Sequence, residues 1–242
     1  MKKAAKIIIS LCLTLLLAIG IGGYAYVSDY YHADDMALKA LSDEAYGIRI
    51  EQDRNVIRFI PDKPTTELIF YPGGKVEYMA YAPLMRACAE MGILCTLVQM
   101  PGNLAVLDIN AADGLQQERP EITARYIAGH SLGGAMAANY AAAHYEDYDG
   151  LILLAAYSTK DLTKTDLRVL SVYGSEDGVM DSQTYEDNRK NLPADTVEIV
   201  LNGGCHAQFG SYGPQDGDGV PTISVEEQIR QTAEAIWAFM EK

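Results

Sequence analysis

The stretch of sequence that decides the fold is RYIAGHSLGGAMAANYAAAHY, residues 125–145. Its beginning, Arg125 to Gly129, is a short, largely apolar run typical of a buried strand, and the alanine-rich part from Leu132 to Tyr145 is typical of a helix. Between the two lies a G-x-S-x-G motif, Gly129-His130-Ser131-Leu132-Gly133. At a turn from a strand into a helix, the serine of this motif sits on a strained backbone with its hydroxyl exposed above the sheet. We therefore predict that Ser131 is a nucleophile.

Strand and helix patterns alternate on both sides of this stretch. The predicted strands are Glu67–Tyr71, Ile93–Gln99, Arg125–Gly129, Leu151–Ala156, Leu167–Tyr173 and Val197–Leu201, after an opening hairpin formed by Gly47–Gln52 and Asn55–Ile60. The predicted helices are Tyr78–Met91, Ala111–Gln117, Leu132–Tyr145, Ser182–Asn191 and Ser224–Met240. This alternation, with strands that are apolar along nearly their whole length, predicts an α/β fold: a mostly parallel sheet with helices on both faces.

The connections between these elements bear on the substrate site. The link Tyr157–Asp166, between two predicted strands, is too short to hold an inserted cap domain. The loops Val76–Ala82, Gly102–Gly114 and Gly210–Pro221 are expected to shape the substrate pocket. We therefore predict a single domain without an inserted cap.

A serine nucleophile needs a base, which in turn needs a carboxylate to orient it. Of the four histidines, His32 lies beside the N-terminal apolar run and His144 lies near the end of the helix after the motif. His130 is inside the motif, and its side chain is expected to point away from the site. His206 remains, in the loop Asn202–Ala207 directly after the last predicted strand, at the sheet edge where α/β folds bind their ligands. We predict that His206 is the base.

The orienting carboxylate is predicted in the turn Gly174–Gly178, which follows a predicted strand. Asp177 is the predicted acid, and Glu176 is the alternative. The chain order Ser131, Asp177, His206, with each residue just past a strand, is the order expected when a nucleophile elbow opens the site. The order favours a catalytic role over that of an ordinary solvated turn carboxylate.

An oxyanion hole for this nucleophile needs two backbone donors. One is expected to be the N–H of Leu132, the residue after the nucleophile, and the other to come from the loop Tyr71–Lys75 after the first parallel strand. Its glycines let the backbone approach a carbonyl closely. Gly74 is the predicted donor, and Lys75 is the alternative; a simple Pro-Gly-Gly turn is the competing interpretation.

Together these segments resemble the α/β-hydrolase superfamily, in particular its small capless bacterial members related to dienelactone hydrolases and single-domain esterases. The resemblance covers about residues 46–242 and is carried by FYPGGKVEYMAYAPL, GHSLGG, YGSEDG and GGCHAQFG. It implies an α/β-hydrolase fold and assigns the oxyanion donor, nucleophile, acid and base to Gly74, Ser131, Asp177 and His206. Dienelactone hydrolases have a cysteine where this chain has Ser131, so a dienelactone substrate is not implied.

The N-terminus has the composition of a targeting segment. Lys2, Lys3 and Lys6 precede the uncharged run Ile7–Val27, which as a helix would measure roughly 31 Å, enough to cross a hydrocarbon core of about 30 Å. Ala25-Tyr26-Val27 matches a small-x-small cleavage site poorly, which favours an uncleaved anchor over a cleaved signal peptide. The basic flank predicts an extracytoplasmic catalytic domain, membrane-anchored or, if the signal is cleaved, secreted.

This interpretation divides the chain into three parts: a signal anchor or signal peptide in residues 1–27, a juxtamembrane segment in residues 28–45, and the α/β-hydrolase domain in residues 46–242.

Composition excludes several other classes of function. With 33 acidic and 19 basic residues the net charge is −14, which repels nucleic acids and disfavours charge-driven docking on anionic membranes. Outside the N-terminal run there are only Cys88, Cys95 and Cys205, without a C-x-x-C pair, so neither a disulfide framework nor a zinc site is indicated. The stretch Asp216–Gly219 resembles part of a calcium loop but lacks the later ligands of an EF-hand, and an ordinary loop is predicted there.

The sequence thus predicts a serine hydrolase that cleaves an ester or related acyl bond of a small-molecule or cell-envelope substrate through an acyl-enzyme, without a metal or an organic cofactor. Peptidase, thioesterase and acyltransferase activities use the same triad and stay open as alternatives. A non-catalytic extracytoplasmic binding module on a hydrolase scaffold is a further alternative, because a fold does not fix its function.

Overall fold

The computed structural model of the protein describes residues 2–42, 47–115 and 119–242. The chain divides into two units, residues up to Tyr30 and Tyr31–Lys242. The first unit is a single helix, α1 (Lys2–Ser28). Its segment Ala5–Ser28 is long and apolar enough to cross a membrane, a property that signal sequences share.

The second unit is built on one eight-stranded sheet. Its strands are β1 (Ile48–Asp53), β2 (Val56–Pro61), β3 (Thr66–Tyr71), β4 (Ile93–Val98), β5 (Ala124–His130), β6 (Gly150–Leu154), β7 (Arg168–Gly174) and β8 (Val197–Leu201). They lie in the order β1-β2-β4-β3-β5-β6-β7-β8. The predicted hairpin β1–β2 joins β4 antiparallel, and the six strands from β3 to β8 run parallel to one another. The mostly parallel sheet confirms the prediction.

Helices cover both faces of this sheet. The helices of the second unit are α2 (Asp35–Ser42), α3 (Ala82–Glu90), α4 (Leu132–Ala143), α5 (Ser182–Asn188) and α6 (Val225–Met240). Leu68 and Ile69 of β3 are consecutive and both buried, but they enter different cores because side chains alternate across a strand. The core around Leu68 contains residues of α3 and α6, and the core around Ile69 contains alanines of α4. The predicted fold class is therefore confirmed.

The connection between β6 and β7 has no cap. Residues 155–167 are all described and contain no helix, in agreement with the predicted short link. The carboxyl ends of the parallel strands, where the predicted site residues lie, are consequently not covered by an inserted domain at this point.

Two local elements differ from the predictions. The helix predicted at Ala111–Gln117 is wrong over residues 111–115, which form turns, while residues 116–118 lie outside the described part of the chain. Gly114 has a φ of 71°, which favours a turn over a helix. Conversely, α2 falls within the predicted juxtamembrane segment 28–45. Its N-terminus is capped by Asp34, whose carboxylate accepts hydrogen bonds from the N–H groups of Met36 and Ala37.

Candidate active site

Ser131 lies between β5 and α4 on a backbone that few residues with a side chain adopt. Its φ and ψ angles are 52° and −124°. The N–H of Ser131 donates to the carbonyl of Leu154 at 2.9 Å, which ties the turn to the end of the neighbouring strand β6. This is the geometry expected of a nucleophile elbow, with Ser131 at the carboxyl edge of the sheet.

Close packing at the elbow admits only glycine at two positions. A β-carbon at Gly133 would lie 2.1 Å from the carbonyl oxygen of Pro72, and one at Gly129 would lie 2.5 Å from the carbonyl carbon of Gly133. Both distances are shorter than real side-chain contacts. Gly129 therefore lets the end of β5 pack against the start of α4, and Gly133 lets α4 lie directly against the loop that follows β3, which carries the predicted oxyanion donor.

His206 and Asp177 form a buried pair at the same edge of the sheet. Their side chains are 2% and 3% exposed, and 2.9 Å separates His206 Nδ1 from Asp177 Oδ2. The other carboxylate oxygen, Oδ1, accepts hydrogen bonds from the N–H groups of Val179 and Met180 at 2.9 and 2.8 Å. The carboxylate is thus fixed on both sides. Glu176, the alternative acid, instead accepts a hydrogen bond from its neighbour Ser175 and is exposed.

The second ring nitrogen of His206 is the one left for proton transfer. Nε2 is buried and has no hydrogen-bond partner among the described residues. Buried polar atoms without a partner are uncommon in folded proteins, and each calls for an explanation. With Nδ1 held by Asp177, Nε2 is the ring nitrogen that can accept a proton. The remaining histidines lie elsewhere, His32 near Glu77 and His144 stacked on Tyr140.

His130 packs against His206, which corrects the expectation that its side chain points away from the site. The two ring centroids are 4.5 Å apart. The reason is a buried partner: the Tyr81 hydroxyl lies 2.7 Å from His130 Nδ1 and accepts a hydrogen bond from the Gly73 N–H at 3.0 Å. Burial lowers the pKa of His130 well below its ordinary value, and the charge on His206 lowers it further. His130 is therefore neutral at neutral pH.

The predicted oxyanion donors are neighbours in space. A β-carbon at Gly74 would lie 2.9 Å from a methyl carbon of Leu132, so these two residues are in contact across the elbow. The N–H of Lys75, the alternative donor, already donates to the carbonyl of Asn103 at 2.8 Å. Lys75 is therefore corrected to a residue that holds the loop in place, which leaves Gly74 and Leu132 as the candidate pair.

Asp218, which was placed in an ordinary loop, joins the acid turn to the histidine loop. Its carboxylate accepts hydrogen bonds from the N–H groups of Gly178 and His206, both at 3.1 Å, and of Ala207 at 2.8 Å. Burial raises the pKa of Asp218, but the N–H groups of Ala207 and Gly178 outweigh it, so the pKa lies below its ordinary value. Asp218 is a positioning residue for the pair Asp177–His206.

Gln228 holds the histidine loop from the other side. This fully buried side chain of α6 accepts a hydrogen bond from the N–H of Cys205 at 2.9 Å and donates one to its carbonyl at 2.7 Å. Burial raises the pKa of the Cys205 thiol to about 12, and the Asp218 carboxylate raises it as well. Cys205 is thus a protonated thiol at neutral pH and not a second nucleophile.

Asp218→Asn is expected to lower kcat/KM roughly 10- to 100-fold, because an amide group would replace one of two acceptor oxygens and displace the His206 backbone. The free energy of unfolding should fall by roughly 1–3 kcal/mol at neutral pH. Since the pKa of Asp218 is depressed in the folded state, its stabilisation is present above the unfolded pKa of about 3.9 and is lost as the pH falls through the folded value. Ester turnover and chemical denaturation at pH 7 and pH 3 test this.

Asp216→Asn is the matched control for this prediction, since Asp216 is an exposed aspartate of the same loop. It should leave turnover within about twofold and stability within about 0.5 kcal/mol of the wild type. An equal loss of activity in both variants would show that the loop responds to its charge rather than to the hydrogen bonds of Asp218.

The site offers no cluster for a metal ion. Among residues 2–42, 47–115 and 119–242, no group of three or more His, Cys, Asp or Glu side chains is arranged to hold one. A largely apolar cavity of about 480 Å³ lies against the histidine loop, within the loop expected to shape the pocket. Its lining includes Cys205, Ala207, Pro214, Asp218, Val220 and Val225.

Comparisons with known proteins agree with this architecture. The model of the alpha/beta hydrolase family matches residues 67–230. No curated protein matches the sequence at a significant level. A dienelactone hydrolase from Anabaena variabilis is similar in structure, with 15% identity and a TM-score of 0.57 over 79% of this chain and 98% of its own.

Two further solved structures share the fold. An esterase from Mycobacterium tuberculosis has 11% identity and a TM-score of 0.59 over 85% of this chain and 95% of its own. A membrane phospholipase A, described as a bacterial virulence factor, has 16% identity and a TM-score of 0.58 over 100% of this chain and 98% of its own. At these identities the similarity establishes the fold alone.

Proposed function

Because the chain belongs to the α/β-hydrolase family, we propose that it is a serine hydrolase that cleaves an ester or related acyl bond with the triad Ser131, His206 and Asp177. The observation that carries the proposal is the buried His206–Asp177 pair, 2.9 Å apart, whose histidine ring packs on the residue preceding Ser131. A buried, fully oriented imidazole beside a nucleophile elbow is the arrangement that general-base activation of a serine requires.

The proposed reaction has two halves. His206 Nε2 takes the Ser131 proton as Ser131 Oγ attacks the acyl carbon, and the N–H groups of Leu132 and Gly74 stabilise the tetrahedral oxyanion. His206 then gives the proton to the departing alcohol, leaving an acyl-enzyme. Water, deprotonated by His206, releases the acid. Asp177 keeps the ring proton on Nδ1 and stabilises the imidazolium formed in each half.

Within this mechanism an ester is favoured over an amide. Two of the structurally similar proteins are described as an esterase and as a phospholipase A. Peptidase, thioesterase and acyltransferase reactions remain the alternatives with the same triad. A non-catalytic binding module is disfavoured, because binding alone does not require a buried carboxylate–imidazole pair beside a nucleophile elbow.

The proposal is tested with the full-length protein in detergent. Hydrolysis of p-nitrophenyl esters from acetate to palmitate is expected, together with stoichiometric labelling by a fluorophosphonate. Labelling without turnover of any ester would replace the ester with another acyl substrate. Absence of both labelling and turnover would favour the binding module.

The same proposal includes a location. The basic residues before the apolar segment of α1 favour an extracytoplasmic catalytic domain, anchored by that helix or secreted after its removal. The substrate is accordingly proposed to be a small-molecule or cell-envelope acyl compound.

A further inference from the structure

The residues that follow the apolar helix are built into the loop with the predicted oxyanion donor. Tyr31 forms a parallel bridge with Val76, in which its N–H donates to the carbonyl of Lys75 and its carbonyl accepts from the N–H of Glu77, both at 2.8 Å. The Glu77 carboxylate accepts a hydrogen bond from the N–H of Ala33 at 2.9 Å. The segment Tyr31–Asp34, here called the strap, thus extends the backbone framework of the oxyanion loop.

The strap also contacts the loop that leads to Asp218. The N–H of Asp34 donates to the carbonyl of Ser211 at 3.0 Å, and the Ser211 hydroxyl donates to the Asp34 carboxylate at 2.7 Å. The Tyr31 hydroxyl accepts a hydrogen bond from the N–H of Asp216 at 3.1 Å. The strap therefore joins the two loops that border Ser131 and His206, at the carboxyl edge of the sheet.

A very short covalent link joins the strap to the apolar helix. Only Asp29 and Tyr30 separate Ser28, the last residue of α1, from Tyr31. Three residue steps span roughly 10 Å at most when fully extended. A domain of the size of Tyr31–Lys242 is roughly 40 Å across. If the apolar helix stays in a membrane, the short link therefore keeps Tyr31, the first residue of the strap, within roughly 10 Å of the end of that helix.

Exposed apolar side chains occur on loops at this edge. Val220 is 82% exposed, and it lies two residues from Asp218. Leu107 and Val106 are 59% and 51% exposed, in the loop after β4 whose Asn103 carbonyl holds the oxyanion loop. Aliphatic side chains in water at the rim of a site suit contact with lipid, because their burial in an apolar phase is favourable.

We propose that this edge of the domain contacts the bilayer and that the substrate is an acyl ester of a neutral membrane lipid. The inference rests on the proposed function and on retention of the apolar helix. An acidic chain favours a neutral or zwitterionic surface over an anionic one, so apolar contact rather than charge brings the edge to the lipid. The membrane covers the site, and a cap domain is not needed to exclude water from it.

The chemistry follows the proposed mechanism. The bond between the acyl carbon and the glycerol oxygen breaks as Ser131 Oγ bonds to that carbon, and the proton from Ser131 passes through His206 to the glycerol oxygen. Water then cleaves the acyl-enzyme. The products are one fatty acid and one lysolipid.

The test uses the full-length protein reconstituted in phosphatidylcholine vesicles, with fatty acid release and p-nitrophenyl acetate hydrolysis measured side by side. Val106→Asp is expected to lower fatty acid release by about tenfold, the effect of losing the burial of one aliphatic side chain, while acetate hydrolysis stays within about twofold. Leu107→Asp, at the neighbouring exposed position, is expected to act in the same direction.

Val197→Asp is the matched control, because Val197 is an exposed valine at the start of β8, the opposite edge of the sheet. It should leave both rates unchanged. Acetate hydrolysis without fatty acid release, or equal loss of both rates in Val106→Asp, would overturn the lipid inference and leave the proposed function standing. Absence of acetate hydrolysis in the wild type would overturn the proposed function itself.

Discussion

Ser131→Ala is expected to abolish fluorophosphonate labelling and to lower kcat for p-nitrophenyl acetate by roughly 10⁴-fold or more. The hydroxyl is the atom that forms the acyl-enzyme, and oxyanion donors without a nucleophile give only weak catalysis. The substitution leaves in place the N–H bond from residue 131 to the Leu154 carbonyl, as well as the glycine contacts of the elbow. Steady-state rates and mass spectrometry of the labelled protein measure both effects.

Ser182→Ala is the matched control for this substitution. Ser182 is exposed at the start of α5, and loss of its hydroxyl should leave turnover and labelling unchanged. Both variants should unfold within a few degrees of the wild type, which separates lost chemistry from lost structure. Turnover by Ser131→Ala within tenfold of the wild-type value would contradict the assignment of Ser131 as nucleophile.

Local sequence determines the elbow, which is why it could be predicted. The apolar strand, the two glycines and the alanine-rich helix are contiguous, and each imposes its conformation on its neighbours. The parallel order of the strands follows from their alternation with helices. Because parallel strands bring their carboxyl ends to one edge, Asp177 and His206 could be expected near Ser131 although 46 and 75 residues separate them from it in the chain.

The supporting residues could not be predicted, because their partners are distant in sequence and lack a motif. Asp218 acts on backbone groups of Gly178 and His206, and any hydrogen-bonding side chain at the right place could do so. Gln228 offered one signal, a polar residue on the buried face of an amphipathic helix. The inward position of His130 depends on the Tyr81 hydroxyl, 49 residues away.

The contacts of the strap, and with them the boundary of the domain, could not be predicted from the sequence either. From composition, residues 28–45 are predicted to link an anchor to a domain. Their sequence contains no motif that specifies which part of the domain they contact. The bridge of Tyr31 to Val76 and the hydrogen bonds between Asp34 and Ser211 arise only when the chain folds back on the loops around the site. The boundary of the compact unit at Tyr31 is therefore a tertiary property.

Asp177→Asn is expected to lower kcat by roughly 10³- to 10⁴-fold with little change in KM. The reason lies in the two backbone donors: the N–H groups of Val179 and Met180 require an acceptor at the Oδ1 position. The asparagine amide oxygen must therefore occupy that position, and its NH₂ group then faces His206 Nδ1. The ring accepts from this NH₂ group and carries its own proton on Nε2, where it cannot take the proton of Ser131.

Glu176→Gln makes the same chemical change at the adjacent residue, which was the alternative acid. The Glu176 side chain accepts a hydrogen bond from Ser175 and does not contact His206, so turnover should stay within about twofold of the wild type. The pair of variants therefore separates the two carboxylates by function. A larger loss in Glu176→Gln than in Asp177→Asn would move the acid to Glu176 and would require the acid turn to rearrange when substrate binds. Retained activity in both would show that His206 needs no orienting carboxylate.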